Sequence, residues 1–319
     1  MFAGYFLNMK NVRRQLLNTV NYAGYQAKEA SRSKGGMRSL ARRALNFLKV
    51  GILYNIILYP YGRWRHRALL RQANRSQAHT YTCFYRSPLQ LEALAGPVIQ
   101  YLTAGGRKLD KLRILVFACS NGAEAYTLAA VLMKVCPQMD FHIEASDLHE
   151  EMVNKARNGI YLRDEVLCSE YASEEFVADL FDRSGENFIV KPEIRSKVSF
   201  SCVNLVSSRL SQRFEPADIV FAQNVLFHLD PAAARAAFVN IVGLLKERAA
   251  LFVEGMDLDL KIALTQEFRL KPISYKCRQI YEQSRTHISL AWWNYYYGAE
   301  PYSIMRSDPM RRYGSIFMK

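Results

Sequence analysis

The sequence lacks most of the short patterns that mark a common cofactor or scaffold. None of its six cysteines forms a C-x-x-C pair, which argues against zinc and disulfide frameworks and favours reduced thiols in the cytoplasm. A Gly-x4-Gly-Lys-Ser/Thr loop for nucleoside triphosphates is missing, and so is the G-x-G-x-x-G fingerprint of dinucleotide sites. No metal-ligand spacing occurs, so we predict no metal site.

Acidic residues are almost absent from the first quarter of the chain. Residues 1–80 hold fifteen Lys or Arg and one acid, Glu29, so the whole formal net charge of +14 lies there. We predict a basic, partly apolar helical segment over 1–80 that is attracted to polyanions such as an anionic membrane surface. Its bases are not interleaved with aromatics and the remaining chain is neutral, which argues against a nucleic-acid partner.

The sequence also has no long uninterrupted apolar run. The most apolar stretch, Ala44–Gly62, contains Lys49 and is shorter than the roughly 20 clean residues that span a bilayer. Three interpretations stay open: a helix buried against the main domain, an in-plane helix on an anionic membrane, and a true span. No secretory signal pattern precedes it.

After residue 80, β-leaning runs alternate with helical patterns. This alternation predicts an α/β sheet with helices on both faces and ligands at the carboxyl ends of its strands. We predict strands over 112–118, 140–147, 198–205, 217–224 and 250–255, and helices over 90–102, 123–135, 149–159 and 232–246. Residues 160–197 break the rhythm with short mixed pieces, and 286–319 form an aromatic, basic tail.

The chemistry is predicted to lie where the strands end. The first strand runs into a turn with a single glycine, LVFACSNGAEAY (115–126), and Asp147 ends the second strand. An acid at this position can accept both hydroxyls of a ribose. Because the glycine set for a pyrophosphate is missing, an adenosine without pyrophosphate is favoured, and S-adenosylmethionine is the natural candidate.

Several segments occur in an order that resembles the chemotaxis-receptor methyltransferase family, CheR. That family carries T-x-F-F-R, S-x-G-E-E-P-Y-S, S-D, N-L and R-N-V in this order. The matching segments are Thr82-Cys83-Phe84-Tyr85-Arg86, Ser120-Asn121-Gly122-Ala123-Glu124-Ala125-Tyr126-Thr127, Ser146-Asp147, Asn204-Leu205 and Gln223-Asn224-Val225. The segment KARNGIY (155–161) also resembles the family's K-A-R-x-G-I-Y. The resemblance covers about 79–285. It implies a Rossmann-like class I methyltransferase sheet over 81–285, with 160–197 as a small β-subdomain that docks receptors in some members.

The resemblance also implies roles for the matched residues around S-adenosylmethionine. Thr82 and Arg86 match positions at the methionine end, where the Arg86 guanidinium suits the carboxylate. Glu124 would meet the amino group, and Asn224 would complete the methionyl side. Asp147 would hold the ribose. Asn204 and Leu205 would contact the adenine edge.

Simpler interpretations stand beside three of these roles. Arg86 could be a surface residue paired with Glu92. Glu124 could be a first-turn helix acid favoured by the helix dipole. Asp147 could only cap the following helix.

The chain departs from the family pattern beside the expected methyl group. Ala123 replaces the first acid of the pair, Gln223 replaces the arginine of R-N-V, and Met256 stands in a late segment that lacks the family's Ser-Glu. His228 stands where the family has a tyrosine that lies near the transferred methyl group. The candidate catalytic residues are Arg86 and His228. A histidine titrates in the range useful for a base, but it could also merely line the pocket.

We therefore expect a cytoplasmic S-adenosylmethionine-dependent methyltransferase, with the inner face of the membrane as a further location suggested by 1–80. The leading acceptor is a protein carboxylate, since CheR enzymes methylate glutamates on a receptor coiled coil. One alternative is a small-molecule or lipid hydroxyl or amine at a membrane surface. Another is a catalytically silent regulator that binds the cofactor.

Overall fold

The computed structural model describes Trp64, residues 82–106 and 111–286, Tyr302, Ile304 and residues 306–319. The predictions for 1–80, including the apolar stretch at 44–62, lie outside these residues apart from Trp64. All the elements given below belong to one compact unit, which comprises residues 70–287 and 301–319.

A seven-stranded sheet with the order β6-β2-β1-β7-β8-β10-β9 forms the centre of this unit. Its first five strands are parallel, and β10 pairs antiparallel with β8 and β9. The strands are β1 (Leu112–Phe117), β2 (Phe141–Asp147), β6 (Val198–Cys202), β7 (Ala217–Gln223), β8 (Leu245–Glu254), β9 (Lys271–Pro272) and β10 (Ile316–Met318). The predicted Rossmann-like fold class is confirmed.

The strand order positions the site. β1 lies between β2 and β7, so the chain winds outward in both directions from the β1–β7 junction. Ligands of open α/β sheets bind at this kind of junction, outside the carboxyl ends of the strands. The carboxyl ends of β2, β1, β7 and β8 therefore lie side by side, each followed by a loop.

Helices cover both faces of the sheet, and a separate apolar cluster packs on each face. β1 is apolar except for Arg113, because the sheet is buried on both sides. The helices of the described residues are α1 (Pro88–Ala93), α2 (Ile99–Thr103), α3 (Ala123–Val135), α4 (Glu150–Asn158), α5 (Arg163–Val166), α6 (Glu174–Leu180), α7 (Pro192–Arg195), α8 (Leu210–Arg213), α9 (Pro231–Gly243), α10 (Leu258–Glu267), α11 (Cys277–Thr286) and α12 (Pro309–Tyr313). None of them has the length and hydropathy that crossing a bilayer requires.

The helix predicted over 90–102 is confirmed, but a π-helical stretch, Leu94–Val98, separates α1 from α2. Pro97 lies inside this stretch and has no N–H to donate. The wider turn accommodates the proline without ending the helix.

The irregular segment 160–197 contains a small antiparallel sheet with the order β3-β5-β4. Its strands are β3 (Ile160–Leu162), β4 (Phe181–Ser184) and β5 (Asn187–Val190). The predicted β-subdomain is present, and its short strands explain why the sequence pattern there is mixed.

Three boundaries differ from the sequence prediction by three residues or more. The strand predicted over 198–205 ends at Cys202. The helix predicted over 232–246 ends at Gly243, and β8 begins at Leu245 rather than at 250. Leu244 and Leu245 continue the apolar helical pattern, yet both pack into the apolar cluster on one face of the sheet, where β8 begins. The last strand, β10, was not predicted because an apolar triplet inside an aromatic, basic tail carries no periodic signal.

Candidate active site

The turn after β1 is held in a tight, left-handed conformation. Ala118, Ser120 and Gly122 have φ values of 56°, 50° and 88°. A Cβ on Gly122 would lie 2.9 Å from the Cβ of Ala156, so close packing against α4 requires glycine here. Gly122 is also the N-cap residue of α3, and the turn therefore places the first residues of that helix at the carboxyl edge of the sheet.

Asp147 ties this turn to the end of β2. Its side chain is buried, and its Oδ2 accepts a hydrogen bond from the Ser120 N–H at 2.8 Å. Its Oδ1 accepts from the N–H of His149, the residue that precedes α4, at 3.0 Å. The interpretation of Asp147 as the cap of α4 is wrong, because the N-cap residue is His149 and α4 has no side-chain cap. A carboxylate has about four acceptor positions, so two remain for a ligand's hydroxyl groups.

Glu124 lies in the first turn of α3 with a strongly altered acidity. Burial raises the pKa of its carboxyl to about 7, the positive charge of Arg86 partly offsets that rise, and the negative charge of Glu254 adds to it. Among the described residues, no group donates a hydrogen bond to the Glu124 carboxylate. A half-buried acid with unused acceptor positions and an arginine nearby suits a ligand that carries both an ammonium and a carboxylate group.

Arg86 is placed by the segment that precedes it. Phe84 is completely buried and meets the rings of Tyr161 and Phe181 edge-on, with ring centroids 4.9 and 5.1 Å away. Tyr85, with φ 51°, donates its N–H to the Thr127 Oγ1 on α3 at 3.1 Å. These contacts fix the backbone of this segment against α3 and the small subdomain.

The predicted partner of Arg86 on the surface is engaged elsewhere. Glu92 pairs with Lys276 at 2.6 Å and accepts from the Tyr275 hydroxyl, which together lower the pKa of its carboxyl. No ion pair within the described ranges includes Arg86. The interpretation of Arg86 as a surface residue paired with Glu92 is therefore wrong.

Asn224 and His228 follow β7. Asn224 has φ 52°, and its N–H donates to the Glu254 carbonyl at 2.9 Å. His228 lies in a single 3₁₀ turn, Leu226–His228, and its half-buried ring contacts the Phe227 ring at 4.0 Å between centroids. Gly255 permits this packing, since a Cβ there would lie 2.6 Å from the Asn224 Cα.

The remaining predicted residues follow β6, next to Asp147. The Val203 N–H donates to the Asp147 carbonyl at 2.8 Å, which brings Asn204 and Leu205 beside the end of β2. The Asn204 side-chain oxygen accepts from the Val206 N–H at 3.0 Å, and Asn240 fixes the Leu205 carbonyl at 2.9 Å. Of these two, Asn204 is the exposed side chain.

Thr82, at the far end of the Arg86 segment, is half-buried, and its carbonyl faces the Cys168 thiol at 3.9 Å.

Sequence reasoning missed two polar residues of this edge. Glu254 ends β8 beside Gln223 of β7, and burial raises the pKa of its carboxyl. Gln90 on α1 donates to the Glu254 Oε2 at 3.1 Å and accepts from Gln223. An acid that ends an apolar strand just before a glycine, as in LFVEG (251–255), is the signal that could have revealed Glu254. No cluster of His, Cys, Asp and Glu suited to a metal ion occurs within the described part of the chain.

One protein family and several named relatives match this chain. The family described as "CheR methyltransferase, SAM binding domain" matches residues 80–275. The chain is 27% identical to the "Probable biofilm formation methyltransferase WspC" of Pseudomonas aeruginosa over 64% of its own length and 48% of that protein. It is 31% identical to "Chemotaxis protein methyltransferase 1" of the same species over 54% of this chain and 64% of the relative. For "Chemotaxis protein methyltransferase 2" of Vibrio cholerae the identity is 28%, over 61% and 69%. The chain thus spans about half of the first relative and about two thirds of the other two.

Proposed function

This chain belongs to the CheR methyltransferase family, whose matched domain binds S-adenosylmethionine, and from that premise we propose that it methylates a carboxylate on a protein acceptor. The observation that carries the proposal is the Glu124 carboxyl at the start of α3, on which the charge of Arg86 acts, next to the turn that Asp147 holds through the Ser120 N–H. Two relatives are named as chemotaxis protein methyltransferases, which supports a protein acceptor.

The chemistry of the polar groups fits the cofactor. Asp147 retains acceptor positions for the ribose hydroxyls, because its two hydrogen bonds go to backbone N–H groups. Arg86 would hold the carboxylate of the methionine end, and Glu124 its ammonium. Asn204 and Leu205 would border the adenine, while Thr82 and Asn224 would complete the methionine side. Bound S-adenosylmethionine supplies an electrophilic methyl group on a sulfonium.

The protein's part in the reaction is mainly to position the two reactants. An acceptor carboxylate is ionised at neutral pH and needs no base, so methyl transfer requires chiefly that an acceptor oxygen be held in line with the methyl group. Arg86 and Glu124 would hold the donor from one side. His228, in the turn after β7, would line the side from which the acceptor approaches.

The proposal is tested by transfer of labelled methyl from S-adenosylmethionine to a bacterial chemoreceptor coiled coil. A carboxyl methyl ester releases volatile methanol on mild alkaline treatment, whereas methylated amines and ethers do not. We expect alkali-labile label that depends on the enzyme. Alkali-stable label would instead indicate a hydroxyl or amine acceptor, and cofactor binding without transfer to any acceptor would indicate a regulator.

Replacing Asp147 by alanine is expected to weaken binding of S-adenosylhomocysteine by roughly 30- to 100-fold, since charge-assisted hydrogen bonds to the ribose are lost. Calorimetric titration measures the change. Asp164→Ala, which removes an exposed acid from the first turn of α5, is the control and should bind like the wild type. A folded Asp147→Ala protein with unchanged affinity would remove Asp147 from the cofactor site.

Replacing His228 by asparagine is expected to lower kcat/KM about tenfold and to leave the cofactor affinity and the pH–rate profile unchanged. The reason is that a lining residue positions the acceptor, whereas an ionised carboxylate needs no proton removed. A loss of about 10²–10³-fold, with disappearance of a titration in the histidine range, would instead identify His228 as a general base.

A further inference from the structure

Gln90 is a buried amide on α1 to which the proposed function gives no role. Its side chain is only 3% exposed, although glutamine is mostly found on protein surfaces. Its Nε2 donates to the Glu254 Oε2 and to the Ser315 Oγ, both at 3.1 Å, and its Oε1 accepts from the Gln223 Nε2. Both N–H groups and the oxygen of the amide therefore have partners, and such a buried network specifies one arrangement.

The three partners of Gln90 lie at the edge of the sheet that carries the candidate site. Gln223 ends β7 and precedes Asn224, and Glu254 lies opposite Gln223 at the end of β8. Ser315 precedes β10, which runs antiparallel to β8 and so begins at the same edge. One side chain of α1 is thus bonded to the ends of three neighbouring strands.

Arg86 lies one helical turn before Gln90. Ser87 is the N-cap residue of α1, and its carbonyl accepts from the Gln90 N–H at 3.0 Å, so a closed turn joins Arg86 to Gln90. The Ser87 side chain makes no capping hydrogen bond. On the other side of Arg86, the Tyr85 N–H donates to the Thr127 Oγ1 of α3 at 3.1 Å. Arg86 is therefore bracketed by an anchor on α3 and an anchor on the sheet.

The proposed role of Arg86 demands accurate placement. A guanidinium binds a carboxylate best through two parallel hydrogen bonds, which require the two planar groups to be aligned. Apolar contacts are non-directional, whereas hydrogen bonds weaken steeply when their angle is distorted. The Gln90 amide supplies the directional contacts that fix the start of α1 relative to the strand ends.

We propose that Gln90 is a positioning residue that places Arg86 for the carboxylate at the methionine end of the cofactor. This inference rests on the proposed function and deepens it. Gln90 acts through the first turn of α1, and Arg86 makes the contact with the ligand. Loss of the Gln90 hydrogen bonds should then weaken a ligand that carries the carboxylate and spare a ligand that lacks it.

The test compares S-adenosylhomocysteine with its decarboxylated analogue, which keeps the adenosine and the amine. Calorimetric titration at pH 8 gives the dissociation constant of the analogue divided by that of S-adenosylhomocysteine. In Gln90→Met, which keeps the length of the side chain but removes its hydrogen bonds, we expect this ratio to fall roughly five- to tenfold, while the affinity for the analogue changes less than about twofold. Arg86→Ala removes the guanidinium itself and should lower the ratio further.

Leu91→Ala is the matched control on the same helix. Leu91 is buried in the apolar cluster on one face of the sheet, so this variant loses packing but keeps the hydrogen bonds of Gln90. Its ratio should stay within about twofold of the wild-type value. If Gln90→Met does not fold, Gln223→Met removes one bond of the amide from the half-buried strand end and should lower the ratio roughly two- to threefold.

The outcomes separate the ideas. Equal weakening of both ligands by Gln90→Met, or an unchanged ratio in Gln90→Met or Arg86→Ala, would overturn the inference while leaving the methyltransferase intact. A fall of the same size in Leu91→Ala would also overturn it, because packing of α1 would then place Arg86 without the amide. A folded wild-type protein that binds neither ligand would overturn the proposed function itself. A ratio that falls in Arg86→Ala and Gln90→Met, but not in Leu91→Ala, supports Gln90 as the residue that positions Arg86.

Discussion

Replacing Glu124 by glutamine is expected to weaken binding of S-adenosylmethionine by about 50-fold or more and, at the same time, to stabilise the unliganded protein at pH 8. Both effects follow from one property of the residue. Its carboxyl has a pKa of about 7 instead of 4.5, because burial disfavours the charged form. The acid is therefore costly for the empty pocket and valuable only when a cation occupies it.

The sign of the stability effect follows from proton binding. Between pH 4.5 and 7 the folded state binds more protons at Glu124 than the unfolded state, so stability falls as the pH rises through this window. Above pH 7 this loss of stability is complete. It lowers the free energy of unfolding by about 2–3 kcal/mol after allowance for the partial exposure of Glu124. In Glu124→Gln this loss disappears, and the variant should gain stability over the wild type at pH 8 but not at pH 4.

Urea unfolding at pH 4, 6 and 8 and calorimetric titration at pH 8 measure the two effects. The matched control is Glu151→Gln, which removes another first-turn helix acid, one that is exposed at the start of α4. If Glu124 served only the helix dipole, both variants would lose a few tenths of a kcal/mol and neither would affect binding. A destabilised Glu124→Gln protein that binds the cofactor normally would contradict our assignment.

The pH dependence of binding gives the same assignment without a mutation. At pH 7 about half of the Glu124 carboxyls carry a proton, and a bound ammonium group lowers their pKa. Binding should therefore release a fraction of a proton, and affinity should rise as the pH increases from 6 to 8. Titrations in buffers with different ionisation enthalpies measure the released proton, which should be reduced in Glu124→Gln.

The sequence could reveal the parts of this site that depend on local order. Asp147 ends one predicted strand and Asn224 follows another, and parallel strands bring their carboxyl ends to one edge. The roles of Arg86 and Glu124 at the methionine end of the cofactor were implied only by resemblance to the family. Nothing local connects these residues, since their proximity depends on Phe84 being anchored between Tyr161 and Phe181 of the small subdomain.

The parts that sequence reasoning missed depend on long-range packing. In the sequence, Glu254 is only a polar residue at the end of a strand. Its hydrogen bond with Gln90 on α1, which lies 164 positions away along the chain, is visible only in the structure. β10 reads as part of a tail, yet it pairs with β8 through residues such as Ile316 and Phe252. A strand of three residues has too little pattern to be recognised, and the edge of the sheet supplies the partner that makes it a strand.

Replacing Gly255 by alanine is expected to destabilise the protein by about 2–4 kcal/mol and to abolish measurable cofactor binding, although the glycine has no functional group. Its φ is +70°, and an added Cβ would lie 2.6 Å from the Asn224 Cα and 2.9 Å from the Phe227 ring. The Asn224 backbone cannot yield easily, because its N–H is bonded to Glu254 at the end of the neighbouring strand. The substitution therefore displaces the loops after β7 and β8 together.

The control for Gly255→Ala is Gly185→Ala, in the turn between β4 and β5. Gly185 has a similar φ of +60°, but an added Cβ would meet nothing within 4 Å. Gly185→Ala should therefore lower the free energy of unfolding only by the backbone cost of a positive φ, about 1 kcal/mol, and should leave the cofactor affinity unchanged. Thermal unfolding and calorimetric titration of both variants separate conformational strain from steric displacement. Equal losses of stability and binding in the two variants would mean that the contact between Gly255 and Asn224 does not shape the site.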